Sequence, residues 1–477
     1  MDSATRSTSA CLLCMALLAA CSDDSALPPT APTTGPPLGA SVAMAPDPSA
    51  HTALSGGATT VRDASVDAFS HESPNLNAAE LALHEEGDDE FDAVFGTDPA
   101  STHTGLGPVF DNVSCEGCHA GDGRGRPPRD GEIAESFLFR VSYPGRDETT
   151  GAPNAAPWYG GQLQLRATPG LKPEGYVRIT YSEVAGQFAD GSTYSLRVPS
   201  YEFYDGYEPL SSKMLFSPRA APFNFGLGLL EAIPEAAVLA NEDPDDRNND
   251  GISGVANRVW DAVAKQTVVG RFGWKAGAPN LLQQTAGAYN GDMGVTSSMF
   301  PAESCEGDRP ECAPHAPEVS DETVAAVSHY MATLGVPERR NLDDAEATRG
   351  EAIFYEVGCA ACHQPTFTTG RLAGIPSVSY QVIHPYTDLL LHDMGNDLAD
   401  RRPDFQATGK EWRTPPLWGI GLVQTVNGHS NFLHDGRARS LLEAVLWHGG
   451  EAKESRDAVI ALKSDARAAL IKFLESL

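Results

Sequence analysis

The chain reads Cys115-Glu116-Gly117-Cys118-His119 and, further on, Cys359-Ala360-Ala361-Cys362-His363. Two thiols separated by two residues and followed at once by an imidazole suit one use above others. The thiols add to the two vinyl groups of a haem, and the short spacer lets one turn of chain reach both. The histidine then lies beneath the iron as proximal ligand. A thioredoxin-like dithiol needs no histidine there, and an isolated three-ligand zinc site has no reason to occur twice. The expectation is two covalently bound haem c groups, held by Cys115, Cys118 and His119 and by Cys359, Cys362 and His363.

Working outward, the surroundings of the two motifs repeat. Gly107-Pro108-Val109-Phe110 precedes the first, and Arg349-Gly350-Glu351-Ala352-Ile353-Phe354 precedes the second. Each motif is followed by a Gly-x-Gly-Leu turn, Gly226–Leu229 and Gly419–Leu422. Each half then ends in an amphipathic helix opened by Ser-Asp, at Ser320-Asp321 and at Ser464-Asp465. This pattern predicts a mainly α fold of two cytochrome c-like domains in tandem, residues 76–337 and 338–477. The first half is longer, and its excess alternates apolar and polar residues over Phe137–Tyr143, Gln162–Ala167, Tyr176–Glu183 and Ser192–Val198. That predicts a β-rich insertion with a hairpin at Asp190-Gly191.

The 477 residues carry a formal charge of -30. This argues against nucleic acid and for a partner that presents a basic patch. At the N-terminus the apolar run Ala10–Ala20 is too short to cross a bilayer and ends in Leu18-Ala19-Ala20-Cys21, which resembles the bacterial lipobox. Residues 1–21 are expected to be a lipoprotein signal with Cys21 lipidated, which puts the protein in the periplasm, anchored to the outer membrane and touching membrane only through that lipid. Residues 22–75, rich in Pro, Ala, Ser and Thr, are expected to be a disordered tether. Cys305 and Cys312 remain, and in an exported protein these are expected to form a disulfide.

Histidines separate the two motifs. None stands between His119 and His315. His84 and His103 precede the first motif, and Met214, Met293 and Met299 follow it, so the first iron is expected to keep an open or weakly held distal position. His384, His392, His429, His434 and His448, with Met394, all follow the second motif, which predicts a six-coordinate haem there.

Phe432-Leu433-His434-Asp435-Gly436-Arg437-Ala438, followed by Leu441-Leu442-Glu443-Ala444-Val445, resembles the HDG-x-x-x-x-Leu-Glu segment of bacterial di-haem cytochrome c peroxidases. Trp412-Arg413-Thr414-Pro415 is similar to their Phe-Arg-Thr-Pro. Tyr386–Gly395, Arg271–Lys275 and Gly228–Pro234 resemble hallmarks of the related di-haem oxidoreductase family, and the likeness covers 76–477. The resemblance implies peroxide reduction at the first haem with electrons passed from the second, which a small cytochrome c or cupredoxin would supply. In the peroxidases a Met fourteen residues beyond the HDG histidine ligates the electron-transfer haem; here that place is His448, so the resemblance implies His363 with His448. MauG, a relative that oxidises a protein, also lacks that Met. A MauG-like oxidase and a non-catalytic electron carrier are therefore the rival readings.

Peroxide reduction also needs a proton carrier near the open iron. Relatives use a Glu after the first motif, and Glu231 is the candidate here, with Gln162 in Tyr159-Gly160-Gly161-Gln162 as a second. His434 joins them from the HDG segment, and Arg413 is placed to pair with a haem propionate. Trp260, Trp274, Trp412 and Trp418 are candidate electron relays. Asp246, Asn248, Asp250 and the carbonyl of Ile252 match the start of an EF-hand-like calcium loop, although Asn257 stands where the closing Glu belongs. The resemblance also implies calcium near the domain interface.

Overall fold

Four helices frame the two motifs in the computed structural model, which describes residues 44–129, 132, 134–305, 312 and 316–477. Helix α1 (Ala78–Asp92) begins in a capping box: Asn77 accepts from Ala79 and Glu80, and Glu80 accepts from the Asn77 amide. Helix α2 (Leu227–Ala232) is one short turn-and-a-half, and α3 (Leu281–Met293) starts at Asn280. Helix α4 (Asp321–Thr333) is capped by Ser320, as its Ser-Asp start predicts. Helix α5 (Ala345–Glu356) is capped by Asp344. Later come α6 (Leu441–Leu446) and α7 (Ser464–Ser476). Helix α7 differs from its expected start: Lys463 holds the cap position, without a side-chain bond, and Ser464 lies one residue inside.

The repeat is legible in the packing. Helix α1 lies on α4 and α5 lies on α7. Each pair closes at a glycine. A Cβ on Gly87 would strike the Ala326 carbonyl of α4, and one on Gly350 would strike the Ala469 carbonyl of α7. The two Gly-x-Gly-Leu turns meet each other. Gly226 and Gly419 both take positive φ, 72° and 69°. A Cβ on Gly226 would meet the Trp418 ring, and a Cβ on Gly419 would meet the Phe225 ring. The residue before each glycine thus fills the space left by the other glycine.

Strand β1 (Phe137–Arg146) is the centre of the largest sheet. It pairs antiparallel with β4 (Leu215–Ala220), from Phe137 opposite Ala220 to Ser142 opposite Leu215, and with the short strands Pro153–Asn154 and Gln162–Leu163. Phe137, Phe139 and Val141 alternate inward against Leu163 and Tyr159, as period-two burial requires. Strands β2 (Tyr176–Gln187) and β3 (Thr193–Tyr204) form a separate hairpin, from Tyr176 opposite Tyr204 to Gln187 opposite Thr193. Its turn carries Gly191 at φ 86°. Short strands β5 (Leu391–Asp393) and β6 (Glu411–Arg413) pair in the second half.

The hairpin reaches across to the second half. Arg197 donates from its backbone to Glu443 and from its guanidinium to the carbonyls of Gly436 and Arg437. Tyr201 donates to Asp435, Arg439 pairs with Glu183, and Arg467 pairs with Asp190 at the tip.

The expectation of a mainly α fold is overturned. Helix makes up 28% and strand 20%, with the strands spread over many small sheets. The chain holds 46 Gly and 35 Pro. These interrupt helices and leave short strands and loops, while the alternating stretch from Phe137 onward supplies the longer strands. The tether also ends earlier than residue 75. Thr60–Val61 pairs with Val336–Pro337, and Ala50, Ala68 and Phe69 are fully buried. Sparse but well-placed apolar residues are enough to dock that stretch. Residues 1–43, including Cys21, lie outside the described residues. The described residues all fall in one compact unit. Among the described residues no helix is long and apolar enough to cross a membrane.

Candidate cofactor site

Both Cys-x-x-Cys-His stretches fold as one tight turn. The amides of Cys118 and His119 donate to Cys115 O, and His363 N donates to Cys359 O, each at 3.0 Å. At the second motif the turn brings both thiols and the imidazole onto one cavity. The four cysteines are free thiols, half-buried, while Cys305 and Cys312 are joined in a disulfide with Cα atoms 5.8 Å apart.

The histidines are held alike. His119 Nδ1 lies 2.8 Å from Pro222 O, His363 Nδ1 lies 2.9 Å from Tyr386 O, and His448 Nδ1 lies 2.8 Å from Ala444 O. A carbonyl only accepts, so each Nδ1 carries the proton and each Nε2 keeps its lone pair. Burial lowers the pKa of all three, that of His363 to about 4, so they are neutral near pH 7. A neutral imidazole oriented through its other nitrogen is the form that ligates iron.

At the second motif the donors face a common cavity. Cys359, Cys362, His363 and His448 all line it, with Phe354, Leu470 and Leu474 among its apolar walls. His448 is also close enough to His363 to depress its protonation further. Two thiols, two neutral imidazoles and an apolar chamber fit a haem held by His363 and His448. The first motif has the same thiol pair and imidazole, set against the helical core: Phe91 lies 6.3 Å from the His119 ring, and Cys115 packs on that core. His84 packs on the Tyr330 ring, 4.9 Å between centroids, and bonds Thr333. His103 pairs with Glu90. Met214 packs on the strand core, and Met293 and Met299 pack in the helical core.

The remaining candidates fall in different places. Glu231 accepts from Leu281 N at 2.7 Å and so caps α3. Burial raises its pKa, against the effects of that bond and of Arg271. Gln162 is buried, and its Nε2 lies 2.7 Å from Asp111 Oδ2, 2.8 Å from Asp292 Oδ1 and 2.9 Å from Gly291 O. Arg413 lines the second cavity and bonds the carbonyls of Gly273 and Thr414. His434 lines the same cavity and lies flat on Trp412, 3.7 Å between centroids. Burial drives its pKa down to about 3. Trp274 and Trp412 both border this cavity, and each has a cation on its face, Arg124 and Lys275 respectively. Trp418 belongs to the paired turns instead, and Trp260 to the strand Arg258–Asp261.

In the acidic loop Gly251 N donates to both oxygens of Asp246, Ile252 N donates to Asp250, and Asn248 bonds Asp250. Asn257 is turned away: it is fully buried and bonds Lys275 O and Asp404 O. The loop leads into a network that sequence reading missed. Ser253 donates twice to Glu451, Glu451 accepts from His392, and His392 also bonds Asp388 while its Nδ1 lies 3.6 Å from the Cys362 sulfur. The i, i+4 spacing of Asp388 and His392 was visible in the hallmark stretch; Glu451 and Ser253 come from distant segments.

No curated protein matches the chain. A solved structure of hydrazine synthase from Kuenenia stuttgartiensis, pressurized with 20 bar xenon, aligns over 86% of this chain and 91% of that one, with 14% identity and a TM-score of 0.35. A family described as "Di-haem oxidoreductase, putative peroxidase" matches residues 49–477. With that match across nearly all of the described residues, and with two thiol–thiol–imidazole turns in place, the chain belongs to the di-haem oxidoreductase family.

Proposed function

We propose that this di-haem oxidoreductase is a periplasmic peroxidase that reduces hydrogen peroxide at the haem of the first motif with electrons supplied through the second. The observation that carries the reading is the unequal equipment of the two motifs. The second has His363 and His448 facing one cavity, which suits a closed, electron-storing haem, whereas His84 and His103, which precede the first motif, are bonded to Thr333 and Glu90. Bound haem supplies the iron redox chemistry, and covalent attachment through Cys115, Cys118, Cys359 and Cys362 would keep it in place.

The chain's own residues do the rest. Pro222 O fixes the His119 ring through Nδ1, and Tyr386 O does so for His363. Arg413 lines this largely apolar cavity together with Arg124 and Arg456, so a propionate would find its partner there. Trp274 and Trp412 stand on that cavity's border, where electrons leave it. Asp246, Asn248, Asp250 and the Ile252 carbonyl would hold calcium. Through Ser253 and Glu451 that loop would steady the Cys362 side of the second site. Lipid on Cys21 would anchor the protein to the outer membrane. The acidic charge favours as donor a small cytochrome c or cupredoxin with a basic patch.

The test is electron paramagnetic resonance of the oxidised holoprotein, then peroxide with a reduced donor. One high-spin and one low-spin ferric signal are expected, with donor oxidation well above the free-haem rate. Two low-spin signals and no rate above free haem would leave an electron carrier instead.

A further inference from the structure

Two carboxyl groups meet beside the first motif. Asp111 follows the short strand Val109–Phe110, and Asp292 lies in the last turn of α3. Their backbones touch: Asp111 N and Asn112 N donate to Asp292 O at 2.8 and 3.1 Å. Gln162 Nε2 lies 2.7 Å from Asp111 Oδ2, 2.8 Å from Asp292 Oδ1 and 2.9 Å from Gly291 O. An amide nitrogen has two hydrogens, and here it faces three acceptors. Gln162, 3% exposed, has no partner for its Oε1. The second oxygen of Asp111 accepts from Leu165 N at 3.1 Å. Gly291 O has a second donor in Gln164 Nε2 at 2.7 Å, so the two Gln162 hydrogens serve one oxygen of each carboxyl and tie the pair together, while the unpartnered Oε1 is left as the acceptor that a protonated carboxyl would use.

The pair is graded from inside to outside. Asp111 is 3% exposed, while Asp292 is half-buried and reaches solvent. Burial, and then the Asp292 charge, push Asp111 up to about 7, against the Leu165 amide, Gln162 and Arg140. The groups facing the pair are Arg140 from β1, the Cys115 and Cys118 thiols, and His119, on which Asp292 acts electrostatically. Nearby, Glu174 accepts from Gln164 N, and Glu135 pairs with Arg166.

We propose that Asp111 and Asp292, bridged by Gln162, form a proton-binding site coupled to the redox state of the haem at Cys115–His119. This rests on the two-haem reading above. When a donor electron converts the ferric centre to ferrous, the pair takes one proton from solvent through Asp292; on reoxidation it releases that proton. One electron and one proton enter together, so the net charge of the buried region stays constant. Glu231, committed to capping α3, is not needed for this role.

The test is spectroelectrochemical titration of the holoprotein between pH 6 and 8, following each haem by its own signal. The midpoint potential of the first haem should fall as pH rises. Asp111→Asn, which keeps an oxygen for the Leu165 amide, should flatten that dependence, and Asp292→Asn should weaken it; the second haem should respond to neither. A pH-independent first haem in the wild type, or an unchanged slope in both variants, overturns the proposal. If the variants do not fold, redox-difference infrared spectra of the wild type decide: a carboxylic C=O band must appear on reduction near pH 7, and its absence overturns the proposal. Failure to hold two haems shows in the starting spectrum and refutes the functional reading instead.

Discussion

At the residue scale, His448 and His434 are two histidines on one cavity with different work. His448 presents a lone pair held in place through Ala444 O. Replacing it with Ala should convert the second haem from low to high spin; an unchanged spectrum would remove it from the ligand set. His434 is a stacked, neutral ring. Its folded pKa of about 3 lies below the usual value because burial penalises the imidazolium. The unfolded chain therefore binds a proton below about pH 6.5 that the folded one refuses. Stability from this source is full above that pH and is lost as pH falls toward 3. Urea midpoints measured across pH 3 to 7 should show a shallower acid loss for His434→Phe, which keeps the stack on Trp412. The two Cys-x-x-Cys-His donor sets were readable because five adjacent residues make up each one. The bond of Glu231 to Leu281 N was not legible, because a buried carboxylate capping a helix and one shuttling protons look the same in sequence. Asp111 and Asp292 were missed because nothing local relates them; a strand end and a helix end bring them together.

At the element scale, the helix pairs and the hairpin follow different rules. The pairs rely on close approach at Gly87 and Gly350. Gly350→Ala would press a methyl group into the α7 backbone and should cost about 1–3 kcal/mol in denaturant unfolding. The hairpin relies on polar contacts to the Gly436–Glu443 stretch, which runs from just after His434 into α6. Arg197→Ala should cost about 1–3 kcal/mol locally, since it removes the two guanidinium bonds to the Gly436 and Arg437 carbonyls and keeps the backbone bond to Glu443. Amide exchange should speed up over 435–446 and not over α1. The alternating pattern revealed these strands and the turn at Asp190-Gly191. Their destination was not legible, because Arg197 and Tyr201 carry no mark of which distant carbonyl or carboxylate they will meet. The same limit applies to residues 44–75, whose few apolar side chains count for more than their composition.

At the scale of the whole molecule, the charge of -30 should steer a basic donor. Second-order rates of donor oxidation should fall steeply as ionic strength rises from 10 to 200 mM, the outcome expected when encounter is electrostatic. A salt-independent rate would point to an apolar docking face. The helical content was overestimated for a related reason: the repeat around the motifs was read as the whole fold, when it is only the frame on which loops and sheets are hung.

The facing turns, with Phe225 against Gly419 and Trp418 against Gly226, bind the two halves through side-chain volume. Each glycine leaves the room that the other turn's ring occupies. Neither turn can gain a side chain unless the ring opposite is cut back, so the two positions are free to change only together.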